Sequence, residues 1–274
     1  MKPKRDYSNI VLILIFLIGL CVLLYPTVSD YWNSRVQSRA IVDYEAMLKE
    51  LTPEDYTAVF AQADQYNEQI RKIAYPLMYH DQVPGYEQTL NVSGNGIMGY
   101  VTIPKIQVEL PVYHGTSEAV LNVAAGHVQG TSLPVGGLNT HAVLSAHRGL
   151  PSARLFTDLD KLEVGDVFTI TVLDRVLTYQ IDKIQIVRPN EVDALYVTEG
   201  EDYCTLVTCT PYGINTHRLL VRGTRVERPE VKNIYITTDA YRIDSLVLTP
   251  IVAAPMLLVL LIILLIRHPK KKQK

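Results

Sequence analysis

The chain has 274 residues, of which 48% are hydrophobic, and its formal net charge is −2. This length is enough for one sizeable domain or two small ones. The near-neutral charge gives no reason to expect nucleic-acid binding, and three cysteines are too few for a disulfide framework.

An apolar run, Ile10 to Leu24, opens the chain after the basic residues Lys2, Lys4 and Arg5. This layout is typical of a signal peptide or a signal anchor. A small-residue cleavage site is missing, which favours an uncleaved membrane anchor. We place that anchor at residues 10–28.

A second apolar run covers residues 246–266 and precedes the basic tail 267–274. Its length suits a transmembrane helix. Positive residues flank the outer side of both apolar runs, so the positive-inside rule predicts that residues 1–9 and the tail face the cytoplasm. The portion between the runs then lies outside the cell. Neither run has a polar face, which argues against two buried core helices.

Residues 29–95 are predicted to form a helical region that ends in a loop. Apolar residues recur at helical spacing up to residue 74, and Thr52 begins a segment that resembles a helix start, with proline first and acidic residues in the first turn. We therefore expect two helices with a break near Thr52. Residues 75–95 contain several prolines and glycines and indicate a loop.

Short β-segments separated by turns fill residues 96–228 and indicate a barrel or sandwich. A linker at 229–245 follows. Short helices are expected near Glu118–Val123 and Ser152–Leu159. The predicted strands are Met98–Ile103, Val108–Tyr113, Ala142–Ala146, Val167–Val172, Val176–Ile186, Tyr203–Thr208 and Thr216–Val226.

Two cysteines lie near one predicted strand, and we read both as free thiols. Five steps of extended chain separate the Cα atoms of Cys204 and Cys209 by roughly 16 Å, whereas a disulfide needs less than about 7 Å. Side chains alternate along a strand, so the two point to opposite faces. Cys204 is expected to be structural, and Cys209 is either a nucleophile or a core residue.

A cysteine nucleophile needs a partner that favours its thiolate form. His147 ends a predicted strand before a Gly-Pro turn, and Cys209 occupies the same kind of position. Arg218 begins the strand after the Cys209 turn and can stabilise negative charge on a carbonyl oxygen. His141 lies about 20 Å further back along the same strand as His147 and is not expected to share the site.

Several segments in order resemble one family, the sortases. "TLVTCTPYGINTHRLLVRG" resembles the family's catalytic cysteine–arginine segment, and "LNTHAVLSAHRGLPSARLFTDLDKLEVGD" resembles its histidine segment. "GIMGYVTIPKIQVELPVYHGTS" and "GHVQGTSLPVGG" resemble the pilus-assembling, class C branch. The likeness covers roughly residues 95–228.

The resemblance implies a mainly β fold, an eight-stranded sortase β-barrel with short helices. It implies Cys209 as nucleophile, His147 as general acid and base, and Arg218 as stabiliser of the oxyanion or substrate. The implied reaction cleaves an LPxTG-like sorting signal through a thioacyl-enzyme and joins it to a pilin lysine. Pilins or surface proteins with such signals are the implied partners, and no cofactor or metal is implied.

One departure from the family concerns its lid. Class C sortases usually carry an Asp-Pro-aromatic segment, and this sequence contains no Asp-Pro dipeptide. The corresponding region offers Asp81 as a partner for Arg218, and Tyr79 or Tyr86 as a cover for the cysteine. An open site is the alternative.

The sequence leaves other functions open. A housekeeping-type sortase that anchors proteins to peptidoglycan is the closest alternative, and a non-enzymatic membrane scaffold with Cys209 in its core is another. A sorted wall protein is disfavoured, because no LPxTG-like signal precedes the C-terminal apolar run.

Overall fold

The computed structural model describes residues 8–227, 253–259 and 261–262. The chain divides into two units. One combines the N-terminal stretch up to Trp32 with the C-terminal segment from Asn233, and the other is Asn33–Lys232. Of the predicted transmembrane segment 246–266, residues 253–259 and 261–262 are helical. The rest of that segment, the linker 229–245 and the basic tail lie outside the described residues.

The first helix, α1, runs without interruption from Ser8 to Leu48 and includes Pro26. The predicted anchor is therefore the first part of a longer helix. Within the described residues, the stretch Ile13–Leu48 is long and apolar enough to cross a membrane. Further along, Tyr44 donates its hydroxyl hydrogen to the carbonyl of Met98 at 3.0 Å. This contact ties the end of α1 to the domain that follows.

The second helix, α2 (Pro53–Arg71), begins where the sequence predicts it. The backbone N–H of Asp55 donates to the Thr52 hydroxyl at 3.3 Å, and the Asp55 carboxylate accepts from the Thr52 N–H at 2.9 Å. This reciprocal capping box satisfies N–H groups that a helix start otherwise leaves unpaired. The predicted break near Thr52 is confirmed.

A short helix, α3 (Pro76–Tyr79), and a 3₁₀ turn (His80–Gln82) occupy part of the predicted loop. The predicted helix near Glu118 is confirmed as α4 (Glu118–Leu121). The predicted helix at Ser152–Leu159 is wrong, because this segment forms turns and an isolated β-bridge residue, Ala153, before a 3₁₀ turn at Leu159–Lys161.

Eight strands close into a barrel in the order β1-β2-β3-β4-β7-β8-β6-β5. The pairs β2–β3 and β4–β7 are parallel, and the others are antiparallel. The strands are β1 Ile97–Ile103, β2 Val108–His114, β3 Ala125–His127, β4 Thr140–Ser145, β5 Val167–Val172, β6 Arg175–Val187, β7 Asp202–Thr210 and β8 His217–Arg225.

The barrel interior is filled by alternate side chains of its strands, and α2 packs its apolar face on the same core. Phe168 and Tyr179 stack inside with ring centroids 5.6 Å apart. Gly223 of β8 lies directly beside them, since a Cβ there would be 2.8 Å from the Phe168 ring and from Cβ of Tyr179. The core packing therefore requires glycine at this position.

Candidate active site

The parallel pairing of β4 with β7 brings His147 alongside Cys209. Ser145 pairs with Val207 in the ladder. One residue on, the Ala146 N–H donates to the Val207 carbonyl at 3.2 Å, and the Thr208 hydroxyl donates to the Ala146 carbonyl at 2.8 Å. The chain leaving β4 thus still follows β7 when it reaches His147.

Arg218 lies on the other side of Cys209, because these two residues are directly paired between β7 and β8. Opposite residues of an antiparallel pair have Cα atoms about 5 Å apart and side chains on the same face. The Arg218 guanidinium donates to the carbonyl oxygens of Asn215 and His217 at 3.2 and 3.1 Å. These bonds hold its charge at the turn between the two strands.

Cys209 and Arg218 belong to the outer face of the barrel, as a directly opposed pair on β7 and β8. Cys204, one of the alternate residues of β7, points into the core, where it is fully buried and its thiol pKa is raised, chiefly by desolvation. Cys209 belongs to the opposite set and is half-buried, as are His147 and Arg218. The predicted structural role of Cys204 is confirmed.

A small apolar cluster continues this outer face away from Cys209. Its centre is a row of one residue from each of the three site strands, Val143, Val207 and Leu220. The side chains packed around that row are Val128, Val187, Ala194 and Leu195. This cluster is buried, so it is a small second core beneath the loops on this side of the barrel.

The residues predicted for a lid take other positions. The Asp81 carboxylate lies 2.8 Å from Nδ1 of His80, without hydrogen-bond geometry, and its side chain is exposed. The Arg218 guanidinium binds backbone carbonyl oxygens instead. The predicted Asp81–Arg218 pair therefore does not form. Tyr79 is about half exposed, at 47%.

Tyr86, predicted as a cover for the cysteine, is a core residue. It is 3% exposed. Its hydroxyl lies 2.9 Å from Nδ1 of His127 and accepts the Gly115 N–H at 2.9 Å. A phenol buried with these partners is held in place and is not a surface lid.

Two of the remaining histidines also have structural partners. The His141 ring lies between the Tyr196 carbonyl, at 3.0 Å, and the Thr205 hydroxyl, at 2.7 Å. His127 is fully buried, which lowers its pKa to about 4. The expected separation of His141 from the site agrees with its position opposite Tyr203, near the start of both strands.

Sequence reasoning missed Arg148, which directly follows His147. Its side chain is 8% exposed, and it contacts the Asp160 carboxylate and the Thr210 hydroxyl. A sequence pattern gives no local sign of this arrangement, because both partners lie far along the chain.

A family model for the sortase domain matches residues 101–226. Among curated proteins, Sortase A from Streptococcus agalactiae is 33% identical over 117 residues, and Sortase D from Bacillus subtilis is 30% identical over 131 residues. These matches cover 42% and 47% of this chain. They span 47% of the first relative and 63% of the second, so about half of each relative's length is matched.

Solved structures extend the likeness to the class C branch. Sortase C1 from Streptococcus agalactiae is 48% identical, with a TM-score of 0.66, over 69% of this chain and 99% of that one. Sortase C from Clostridium perfringens is 38% identical, with a TM-score of 0.59, over 69% of this chain and 99% of that one. The class C resemblance seen in the sequence is confirmed.

Proposed function

This chain belongs to the sortase family, whose members are cysteine transpeptidases, and we propose that it polymerises pilin subunits at the membrane. In this proposal it cleaves an LPxTG-like sorting signal and joins the new carboxyl end to a pilin lysine. The observation that supports the proposal is the strand pairing, which sets Arg218 opposite Cys209 and carries the chain that leaves β4 along β7 towards His147. Catalytic groups need such mutual proximity before any of them can act.

The first half-reaction forms a thioacyl-enzyme. The Cys209 thiolate attacks the carbonyl carbon of the Thr–Gly bond, and negative charge develops on the carbonyl oxygen. Arg218 cannot act as a base, but it can stabilise that charge through its N–H groups. His147, as imidazolium, gives a proton to the departing glycine nitrogen, and the C–N bond breaks.

The second half-reaction transfers the acyl group. The incoming lysine amine, which has already lost its ammonium proton to solvent, attacks the thioester carbon, and the neutral imidazole of His147 takes the second proton from its nitrogen. The released glycine amine takes up one proton from solvent. The C–S bond breaks, the thiolate is restored and an isopeptide bond forms. The cycle consumes no oxidant or reductant and returns every group to its starting state.

A solved relative supports a substrate of this kind. The sortase C of Streptococcus pneumoniae is 40% identical to this chain, and its crystal structure is described as giving insight into pilin substrate specificity.

The proposed cellular arrangement places the barrel outside the cell. The long apolar N-terminal helix supplies an anchor by length and composition. Residues 246–266 supply a second span in this proposal, with both basic ends in the cytoplasm. The barrel would then meet its substrates where surface proteins leave the membrane.

A trapping experiment tests the proposed chemistry. The full-length chain in detergent is incubated with an LPxTG peptide, and the protein is analysed by intact-mass and peptide mass spectrometry. We expect an adduct on Cys209 equal in mass to the peptide up to threonine. Cys209→Ala should give no adduct, and Cys204→Ala is the matched control that should retain it.

The acceptor of the acyl group distinguishes a pilin-polymerising sortase from a housekeeping-type sortase. Addition of a lysine-containing pilin should convert the adduct into covalent multimers. Wall-linked monomers in cells, with no multimers, would indicate a housekeeping-type sortase. Failure of any peptide to acylate Cys209 would favour the non-enzymatic scaffold.

A further inference from the structure

Arg148 joins the loop that carries His147 to the end of β7 and the loop that follows Cys209. Its Nη2 pairs with the carboxylate of Asp160, and its Nη1 donates to the hydroxyl of Thr210 at 3.2 Å. Arg148 is adjacent to His147 along the chain, and Thr210 is adjacent to Cys209. A single guanidinium therefore spans the gap between the two strand ends.

A second contact connects the same two loops. The ring of Tyr212 lies 5.9 Å from the Arg148 guanidinium and packs directly on Gly149. A Cβ on Gly149 would be 3.0 Å from this ring, and the backbone there has φ +77°. We call Arg148, Asp160, Thr210, Tyr212 and Gly149 the arginine clasp.

The buried Arg148 side chain of the clasp costs stability. The Arg148 side chain is only 8% exposed, and within the described part of the chain its Nε has no hydrogen-bond partner. Burial of a charge with an unsatisfied donor is unfavourable, whereas an apolar side chain of similar size would not carry that penalty. An arginine has one property that an apolar residue lacks. Its planar guanidinium can donate hydrogen bonds to two partners in fixed directions.

The chain is already tied to β7 just before His147, because Ala146 bonds to the Val207 carbonyl and to the Thr208 hydroxyl. After His147 the backbone contacts stay within the loop. The His147 carbonyl accepts the Phe156 N–H at 3.1 Å, and the Gly149 N–H donates to Thr157 at 3.1 Å. The clasp adds a tie on the far side of both residues, from Arg148 to Thr210.

We propose that Arg148 is a positioning residue that sets the separation of His147 and Cys209 by bridging Asp160 and Thr210. The inference rests on the proposed function, because it assigns these two residues to the reaction. Proton transfer and thiolate formation depend steeply on that separation, and a displacement of about 1 Å can cost about 100-fold in rate. Arg148 touches no reacting atom in this scheme.

Three substitutions test the bridge at graded severity. Arg148→Gln removes the charge and one arm of the fork, Arg148→Lys keeps the charge but cannot span both partners, and Thr210→Val removes one acceptor at nearly constant shape. Arg222→Gln is the matched control, because Arg222 also pairs with an aspartate, Asp182, but lies further along β8. All are made in the full-length chain.

Acylation kinetics with the LPxTG peptide are the first readout. We expect kcat to fall about 100-fold in Arg148→Gln, with KM within about threefold, because positioning acts on the chemical step. Arg148→Lys and Thr210→Val should lose less. The double variant Arg148→Gln/Thr210→Val should lose no more than Arg148→Gln alone, since both changes break the same bridge.

The alkylation rate of Cys209 with iodoacetamide, followed from pH 5 to 9, is the second readout and needs no substrate. Arg148→Gln should change the pH profile, and Arg222→Gln should leave it unchanged. Wild-type kcat in Thr210→Val and Arg148→Lys, or a loss confined to KM, would overturn the clasp while leaving the proposed function intact. A wild type that never acylates, with altered alkylation in Arg148→Gln, would overturn the function and keep the clasp.

Discussion

Acid should destabilise the barrel through one buried imidazole, His127. This side chain is fully buried. Its Nε2 donates to the Ser132 carbonyl at 2.9 Å, and its Nδ1 lies 2.9 Å from the Tyr86 hydroxyl, which also donates to the His127 carbonyl at 3.1 Å. Burial favours the neutral imidazole, because protonation would place a positive charge in the core.

The magnitude follows from the pKa of His127. Desolvation lowers it from 6.5 to about 4, with a smaller contribution in the same direction from the nearby charge of His114. At about 1.4 kcal/mol per pH unit, this difference corresponds to roughly 3 kcal/mol. Below pH 6.5 the unfolded chain binds a proton at this position and the native state does not. Stability is therefore fully present above pH 6.5 and is lost as the pH falls towards 4.

Urea unfolding of the full-length chain in detergent, followed by near-ultraviolet circular dichroism, measures this effect. Buried tyrosines report on the barrel in that signal. Other groups also titrate, so the informative quantity is the difference between wild type and His127→Gln. We expect that difference in unfolding free energy to shrink by about 3 kcal/mol between pH 7 and pH 4. Parallel curves across that range would refute the assignment of a neutral, buried imidazole.

Three further outcomes follow from the same contacts. Tyr86→Phe should lower the unfolding free energy by about 1–3 kcal/mol in the same urea assay, because the partly buried Gly115 N–H and the buried imidazole lose their common partner. Iodoacetamide should label Cys209 in the native chain and leave Cys204 unlabelled until urea unfolds it, as peptide mapping would show. Asp81→Ala should leave the labelling rate of Cys209 unchanged; a faster rate would restore the lid that the sequence suggested.

Much of the barrel could be predicted because local pattern and tertiary structure agree there. Burial alternates along β5 as the closed sheet requires, and the Thr52 cap depends only on neighbouring residues. β3 escapes sequence prediction because Ala125–His127 is three residues long and contains a glycine. Such a strand exists through its pairing with β2 and β4, which no local pattern encodes.

The failed helix at Ser152–Leu159 has a physical reason of the same kind. Its apolar residues have helical spacing, yet Leu155 adopts φ +43° and the Phe156 N–H donates to the His147 carbonyl. Both side chains are buried without a helix, since turns can also direct them into the core. Apolar spacing in a short segment predicts burial more reliably than it predicts the backbone.

At the candidate site, the sequence predicts the reacting residues but not the distances between them. Alternation alone places Cys209 on the face opposite Cys204, and the turn after it places Arg218 nearby. The partner of Cys209 across β4 depends instead on a parallel register, which is set by hydrogen bonds between segments 62 residues apart. The fine separation of imidazole and thiol depends in turn on Arg148, whose partners are long-range in the same way. Residue identities can thus indicate the chemistry, whereas the distances on which its rate depends come from contacts that form when the barrel closes.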